Sequence, residues 1–274
     1  MKTSILITVY NRADLLRTCL QALSLQEADF HEVIVVDDGS GSEEAERTRA
    51  VIESCNYPAR YLRQEDDGYR LAAARNMGIR EAEGDYLLFI DCDILLLPDA
   101  LAVHHRECAP GRLLVGNRTL LSKEESARLK EGLTRESLEQ AWAASDRDEL
   151  AWRHRKFMRH SFLRKLRLVK RHKPKMIGCH FSLFKEDLER INGFDEHYVG
   201  WGLEDDDLAL RLRMSGCRSY SVIPSAHAMH LWHPSPQLEA AASWDSVNKA
   251  YFHRAQVSAY CADGLEKPTP PLEL

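Results

Sequence analysis

Residues 3–100 alternate short apolar runs with amphipathic stretches. Residues 3–9, TSILITV, are rich in β-branched side chains and read as a buried strand. Asn11 to Asp14 then opens a helix whose apolar positions, Leu15, Leu16, Cys19, Leu20 and Leu23, share one face. Val33–Val36 is a second strand, running into the turn Asp37-Asp38-Gly39-Ser40. A polar helix over 43–54, a short strand near 60–63 and a small-residue helix over 71–82 follow. Residues 85–90 form an apolar strand ending at Asp91-Cys92-Asp93, and Pro98 suits the first turn of another helix. Strands alternating with helices predict an α/β fold, a mostly parallel, doubly wound sheet flanked by helices.

In such a sheet ligands bind beyond the carboxyl ends of the strands. Tyr10-Asn11-Arg12, Asp37-Asp38 and Asp91-Cys92-Asp93 all follow strands and are expected to converge on one crevice. Singly, each is ordinary loop polarity. Asp91 and Asp93 flank one residue, a spacing that can hold a divalent cation bridging nucleotide phosphates.

The second half changes character. Residues 122–152 read as helical and charged on both faces, an excursion from the core. Residues 153–175 carry 11 Lys and Arg and no acid, with Met158, Phe162, Leu166 and Val169 on one helical stripe. A strand near 179–184 returns to the sheet, and Ile191-Asn192-Gly193-Phe194 makes a turn. A helix-like segment is expected from Gln237 to about Tyr260, before a loose Pro-rich tail.

Composition narrows the class. With 274 residues, 44% hydrophobic and 29% charged, the chain reads as soluble and globular. No apolar run approaches the roughly 20 residues of a membrane span, and SILITVY is too short for a signal-peptide core. Seven scattered cysteines form no CxxC pair, so a reduced, cytoplasmic protein is expected. Setting aside the 11 basic residues of 153–175 leaves 26 Lys and Arg against 42 acids, a net of −16. That asymmetry argues against a general nucleic-acid binder and points to one local anionic partner. The basic segment suits an amphipathic helix on the anionic inner face of the cytoplasmic membrane, or equally a solvated insertion.

One stretch, Val199 to Asp207, concentrates the chemistry. Glu204, Asp205, Asp206 and Asp207 can be read simply as the acids that start a helix, set against its dipole. That does not explain Trp201 between two glycines, or His230 and His233 spaced i, i+3 shortly afterwards. Imidazoles with carboxylate and phosphate oxygens suit Mn²⁺ better than Ca²⁺, with Mg²⁺ and zinc left open. Leu71–Gly78 matches neither the dinucleotide fingerprint nor the P-loop, so Arg75 is a phosphate contact or a salt-bridged scaffold residue.

TVYNR, VVDDGS, AAARNMG and DCD, in that order, resemble the nucleotide-sugar half of the family 2 glycosyltransferases, which have the GT-A (Rossmann-like) fold. INGFDEHYVGWGLEDDDLALRLRMSG resembles the acceptor half of the β-1,4-galactosyltransferases and bacterial chondroitin-type polymerases. The likeness spans about 3–100 and 178–235 and leaves the middle unmatched. It implies Thr8, Tyr10, Arg12 and Asp38 around uracil and ribose, and Arg75 and Asn76 near the diphosphate. Asp93 would be the main metal carboxylate, with Asp91 near ribose and metal and His230 and His233 completing the site. Trp201, Gly202, Glu204 and Asp206 would meet the sugars, and Asp205 would be the general base. One departure is that the galactosyltransferases carry Met-x-x-His where this chain has His-x-x-His.

The implied organisation is a nucleotide-sugar half over 1–120, a helical basic insertion over 121–177, an acceptor-binding catalytic half over 178–236, and a C-terminal helix and tail over 237–274. The implied activity is inverting transfer of a hexose or N-acetylhexosamine, with a galactose-type sugar expected, from a UDP-sugar. A glycan or lipid-linked glycan of bacterial surface polysaccharide, such as lipopolysaccharide or capsule, would accept it. A hydroxyl nucleophile needs a carboxylate to take its proton, and the departing diphosphate needs a cation. A glycosidase would instead need two carboxylates flanking the bond. A sugar-nucleotide-forming nucleotidyltransferase and an inactive carbohydrate-binding homologue remain the alternatives.

Overall fold

The computed structural model describes residues 1–170, 172–234 and 247–267. The donor-side strands and helices follow the expected alternation: β1 (Thr3–Val9), α1 (Ala13–Leu23), β2 (Glu32–Asp37), α2 (Ser42–Glu53), β3 (Ala59–Arg63), α3 (Leu71–Glu81) and β4 (Tyr86–Asp91). Next come β5 (Ile94–Leu96), α4 (Ala100–Glu107), β6 (Arg112–Val115) and β7 (Thr119–Leu120). Pro98 stands just before the N-cap of α4, Asp99, and not in its first turn.

Three helices, α5 (Lys123–Glu131), α6 (Arg135–Ala144) and α7 (Asp148–Lys165), precede β8 (His180–Phe184) and α8 (Lys185–Glu189). The described chain then forms α9 (Glu204–Met214), β9 (Arg218–Ser221) and β10 (Ala228–His230). The main sheet has the order β3-β2-β1-β4-β8-β6-β9. Strands β1 to β4 are parallel, while β8 runs antiparallel to both β4 and β6. Alternating apolar residues bury both faces, as a sheet covered on two sides requires. Ile5 and Ile7 join one core cluster and Leu6 and Phe89 the other.

A second sheet, β5-β10-β7, was not expected from the sequence. Its strands are only two or three residues long, too short to show a period. It positions the site, because β10 pairs with β5 just after Asp93.

The expected excursion over 122–152 is corrected in two ways. It is divided by the Thr134–Ser137 capping box and a break at Ser145. It also packs inward: Leu129, Leu138 and Ala141 are buried with Leu95, Met229 and Leu231. The basic stripe is shorter than expected. Helix α7 ends at Lys165, so Leu166 and Val169 fall beyond it, while Met158 and Phe162 stay exposed on the helix.

Residues 237–246 and those beyond Lys267 lie outside the described residues. Residues 247–252 are helical, but the helix stops there and does not reach Tyr260. The following backbone is bound elsewhere: Cys261 and Leu265 donate to the carbonyls of Ile191 and Asn192 at 3.3 and 3.0 Å. Asn192 also uses its side chain to receive the Glu266 amide at 2.7 Å.

Candidate active site

Parallel register brings the strand-end residues side by side. Thr8 pairs with Asp91 across β1 and β4, and Val9 pairs with Asp37 across β1 and β2. Asp38 is buried in this crevice, accepting from the Arg70 amide at 3.0 Å and from the Gln64 side chain. Burial pushes its carboxyl up, against these hydrogen bonds. Tyr10 is exposed at the rim and donates to Asp66 at 3.4 Å, and Thr8 is half-buried below it.

Asp93, His230 and His233 place one ligand atom each within 4.8 Å of one another. His233 Nε2 lies 3.1 Å and His230 Nε2 3.5 Å from Asp93 Oδ2, with Arg12 Nη1 also at 3.5 Å. Asp93 Oδ1 is buried without a partner among the described residues. Burial opposes ionisation of Asp93, yet His233, His230 and Arg12 hold its carboxyl below the usual range. Burial pushes His230 down, towards the neutral imidazole that binds metals. An orphaned carboxylate oxygen with two imidazoles fits a divalent transition metal.

Asp91 is not part of this cluster. Its Oδ1 faces Arg75 Nη2 at 3.3 Å. Burial pushes it up to about 7 against the pull of Arg75, with Asp93 and Asp205 adding to the rise.

Arg75 is the electrostatic centre of the site, only 3% exposed. Its Nη1 meets Asp205 Oδ1 at 2.7 Å and lies 3.8 Å from Glu204 Oε1; its Nη2 also donates to the carbonyl of Gly178 at 3.0 Å. Phe181 and Phe194 cover it with their rings. Of the two readings of Arg75, phosphate contact or salt-bridged scaffold residue, its observed pairs are those of the second: the guanidinium is engaged by protein carboxylates. The placing of Asn76 near the diphosphate is corrected. It is fully buried, donating to the Phe194 carbonyl at 2.8 Å and to Glu196 at 2.9 Å, and receiving the Phe194 amide at 2.9 Å. It clasps the Ile191–Phe194 turn to α3.

The acceptor side is built by a strained entry to α9. Gly200, Gly202 and Leu203 all have positive φ, and at Leu203, which caps the helix at φ 77°, this is a sterically costly state. Asn248 holds the loop from below, donating to the carbonyls of Val199 and Gly202 at 3.2 and 3.1 Å. Trp201 is thereby left 59% exposed beside a cavity of about 460 Å³. Trp201, Gly202, Glu204, Asp205 and Asp206 all line it.

The four acids divide sharply. Asp207 is fully buried and paired with Arg211 at 2.5 Å, and Tyr198 donates to it at 3.2 Å. Asp206 lines the cavity, but its Oδ2 is engaged by Lys175 at 2.7 Å, which weighs against a sugar contact there. Asp205 stays 21% exposed. Its Oδ2 receives the Gly178 amide at 2.8 Å while Oδ1 receives Arg75. Each carboxylate oxygen has two lone-pair directions, so acceptor capacity remains towards the cavity.

Glu204 is buried, with Oε2 unpartnered among the described residues. Burial pushes its carboxyl up to about 8, Asp205 adds to the rise, and Arg75 opposes it. A carboxyl raised in the folded state binds its proton there longer than in the unfolded chain. Its stabilising contribution is complete below the unfolded value and is lost as pH climbs through about 8. Glu204→Gln should remove that slope: from pH 5 to 8 wild type should lose on the order of 2 kcal/mol relative to the variant. Urea denaturation at the two pH values measures the difference.

Three residues were missed by sequence reasoning. Gly178 is one: a Cβ there would lie 2.1 Å from Asp205 Oδ1, so only glycine lets the backbone reach the carboxylate. An isolated glycine beside an apolar strand signals such close approach. Lys175 was counted only as one charge in a basic run. Asn248 carried no local signal.

Residues 4–191 match the family described as "Glycosyl transferase family 2", and residues 159–234 match "N-terminal domain of galactosyltransferase". Together they run through the middle segment that the motifs left unmatched. The chain is 31% identical over 255 residues to a chondroitin synthase of Escherichia coli, covering 86% of this chain and 35% of that protein. It thus spans about a third of that relative's length. A solved structure described as a mannosyltransferase from Pyrobaculum calidifontis in complex with GDP-Man and Mn²⁺ superposes with a TM-score of 0.59 at 18% identity. That match covers 91% of this chain and 61% of the other. GalNAc-T7 with UDP, GalNAc and Mn²⁺ gives 0.58 at 16% identity, covering 92% and 50%. These structural likenesses carry the GT-A-type fold, and the matched sequence carries membership: the chain belongs to glycosyl transferase family 2.

Proposed function

We propose that this chain is an inverting, divalent-metal-dependent glycosyltransferase. It moves a hexose or N-acetylhexosamine from a UDP-sugar to a hydroxyl of a glycan acceptor. The observation that carries this reading is the pairing of two poles: the Asp93, His230 and His233 cluster at the strand ends, and the accessible Asp205 carboxylate on the other side of Arg75.

Asp205 takes the proton of the acceptor hydroxyl as its oxygen attacks the anomeric carbon. Arg75 and the Gly178 amide fix the carboxylate so that its free lone pairs face the cavity. Glu204, protonated near neutral pH, can donate a hydrogen bond to a sugar oxygen. Trp201 offers a ring wall for the sugar face. A divalent cation, Mn²⁺ by ligand chemistry and by its presence in the two solved neighbours, would supply positive charge against the leaving diphosphate. One base on the far side from the leaving group favours a single displacement with inversion.

The acceptor is proposed to be a bacterial surface glycan, in keeping with the chondroitin synthase relative. No described helix is long and apolar enough to cross a membrane. Exposed Met158, Phe162, Leu166 and Leu168 beside the basic residues of α7 favour a peripheral contact with anionic lipid. Salt-sensitive flotation with anionic vesicles tests that contact, and its absence removes it.

The function itself is tested with a panel of UDP- and GDP-sugars. Release of UDP from a UDP-hexose or UDP-N-acetylhexosamine, dependent on Mn²⁺ and abolished by EDTA, is expected. Pyrophosphate release would favour a nucleotidyltransferase. No release and no nucleotide-dependent thermal shift would favour a binding protein.

A further inference from the structure

A second cavity, about 870 Å³, lies between α7 and the edge strand β9. It shares Phe157 and Pro174 as walls with the Asp205 cavity. Arg213, on α9, lines it at the end of the helix opposite Asp205. Eight residues separate the two, which is about 12 Å along a helix axis.

Arg213 donates from Nη1 to the Pro174 carbonyl at 3.3 Å. Its Nε and Nη2 are buried without a hydrogen-bond partner among the described residues. The hydroxyl of Ser161, on α7 and lining the same cavity, is likewise buried and unpartnered. Buried donors left unmade are costly, and a guanidinium edge is a fork shaped for two oxygens. Arg164, Lys165 and Arg218 add charge around the cavity, against one acid, Glu107. Burial and the neighbouring Arg164 push Arg213 down to about 10, with Asp206 opposing them. Arg112 adds a further cation, His154 and Ser219–Ser221 add polar groups, and Phe157, Met158, Leu114 and Val222 form an apolar part of the wall.

We infer that this cavity is an oxyanion site for a phosphate ester with an apolar substituent. The Nε–Nη2 edge of Arg213 and the Ser161 hydroxyl receive the phosphate oxygens, and the Phe157 side receives the substituent. That the phosphate belongs to the far end of the acceptor rests on the transferase reading; the binding itself does not.

Calorimetric titration of the full chain with inorganic phosphate and with hexyl phosphate, at ionic strength held constant with chloride, tests the site. Both probes should bind saturably, hexyl phosphate about tenfold or more tightly. Arg213→Met should weaken both by at least about tenfold, and Ser161→Ala severalfold, while Mn²⁺-dependent UDP binding stays unchanged. Ser161→Ala removes one hydroxyl only and serves if the arginine variant does not fold. Wild-type binding no tighter than chloride competition allows, or unchanged affinity in both variants, would overturn the site. Equal affinity for the two probes would overturn its apolar half. Nucleotide release is read independently: release without phosphate binding sinks this site alone, and phosphate binding without release sinks only the acceptor's ownership of it.

Discussion

Asp205→Asn should lower sugar transfer by roughly a thousandfold, within the range that a positioned general base contributes. The reason is local. The carboxylate is held by donors on both sides, Arg75 Nη1 at 2.7 Å and the Gly178 amide at 2.8 Å. An asparagine can present its oxygen to only one of them, and its NH₂ must face the other. The variant therefore loses both the proton acceptor and a fixed geometry, at a cost in stability of about 1–3 kcal/mol. Steady-state transfer and urea denaturation measured together separate the two effects. Near-normal turnover would show that the base lies elsewhere.

Arg75→Met is the second large effect. This guanidinium is the shared counter-charge of Asp91 and Asp205, and it lies 3.8 Å from Glu204 Oε1. Removing one partner of a buried ion pair typically costs about 3–5 kcal/mol, because charges are left uncompensated. Here the loss falls on Asp205 and Asp91 together. The folded protein should lose about that much stability, and the fraction that remains folded should lose most of its transfer, because Asp205 is no longer held. Arg75→Lys should recover little: an ammonium lacks the planar fork that reaches Asp205, Asp91 and the Gly178 carbonyl together. A variant as stable as wild type would contradict this electrostatic account.

Much of the donor half was legible because local pattern and tertiary role coincide there. TSILITV and EVIVVD are apolar enough to be central strands and nothing else, and acids at their ends have nowhere to go but the crevice. Asp93, His230 and His233 do converge, although 140 residues separate Asp93 from His233. Asp205, alone of the four acids at the start of α9, combines accessibility to the cavity with fixed hydrogen bonds.

The partners of Arg75 and Asn76 were illegible for the opposite reason, although a salt-bridged scaffold role for Arg75 was one of its two readings. Both sit in a small-residue helix whose sequence says nothing of partners 130 and 118 residues away. The motif marked them as important, but their chemistry is holding protein groups in position. Residues 122–152 were read as one charged excursion because their buried residues, such as Leu129 and Leu138, are few and interrupted by turns. The β5-β10-β7 sheet escaped notice because pairing with distant strands, not periodicity, defines so short an element.

The central claim is that donor and acceptor chemistry occupy two separable poles. Mn²⁺-dependent UDP binding, measured by calorimetry on wild type, Asp205→Asn and His233→Ala, tests it most directly. The account predicts that Asp205→Asn binds UDP as wild type does, while His233→Ala loses at least about tenfold in metal-dependent affinity. UDP binding lost equally in both variants, or retained in His233→Ala, would contradict it.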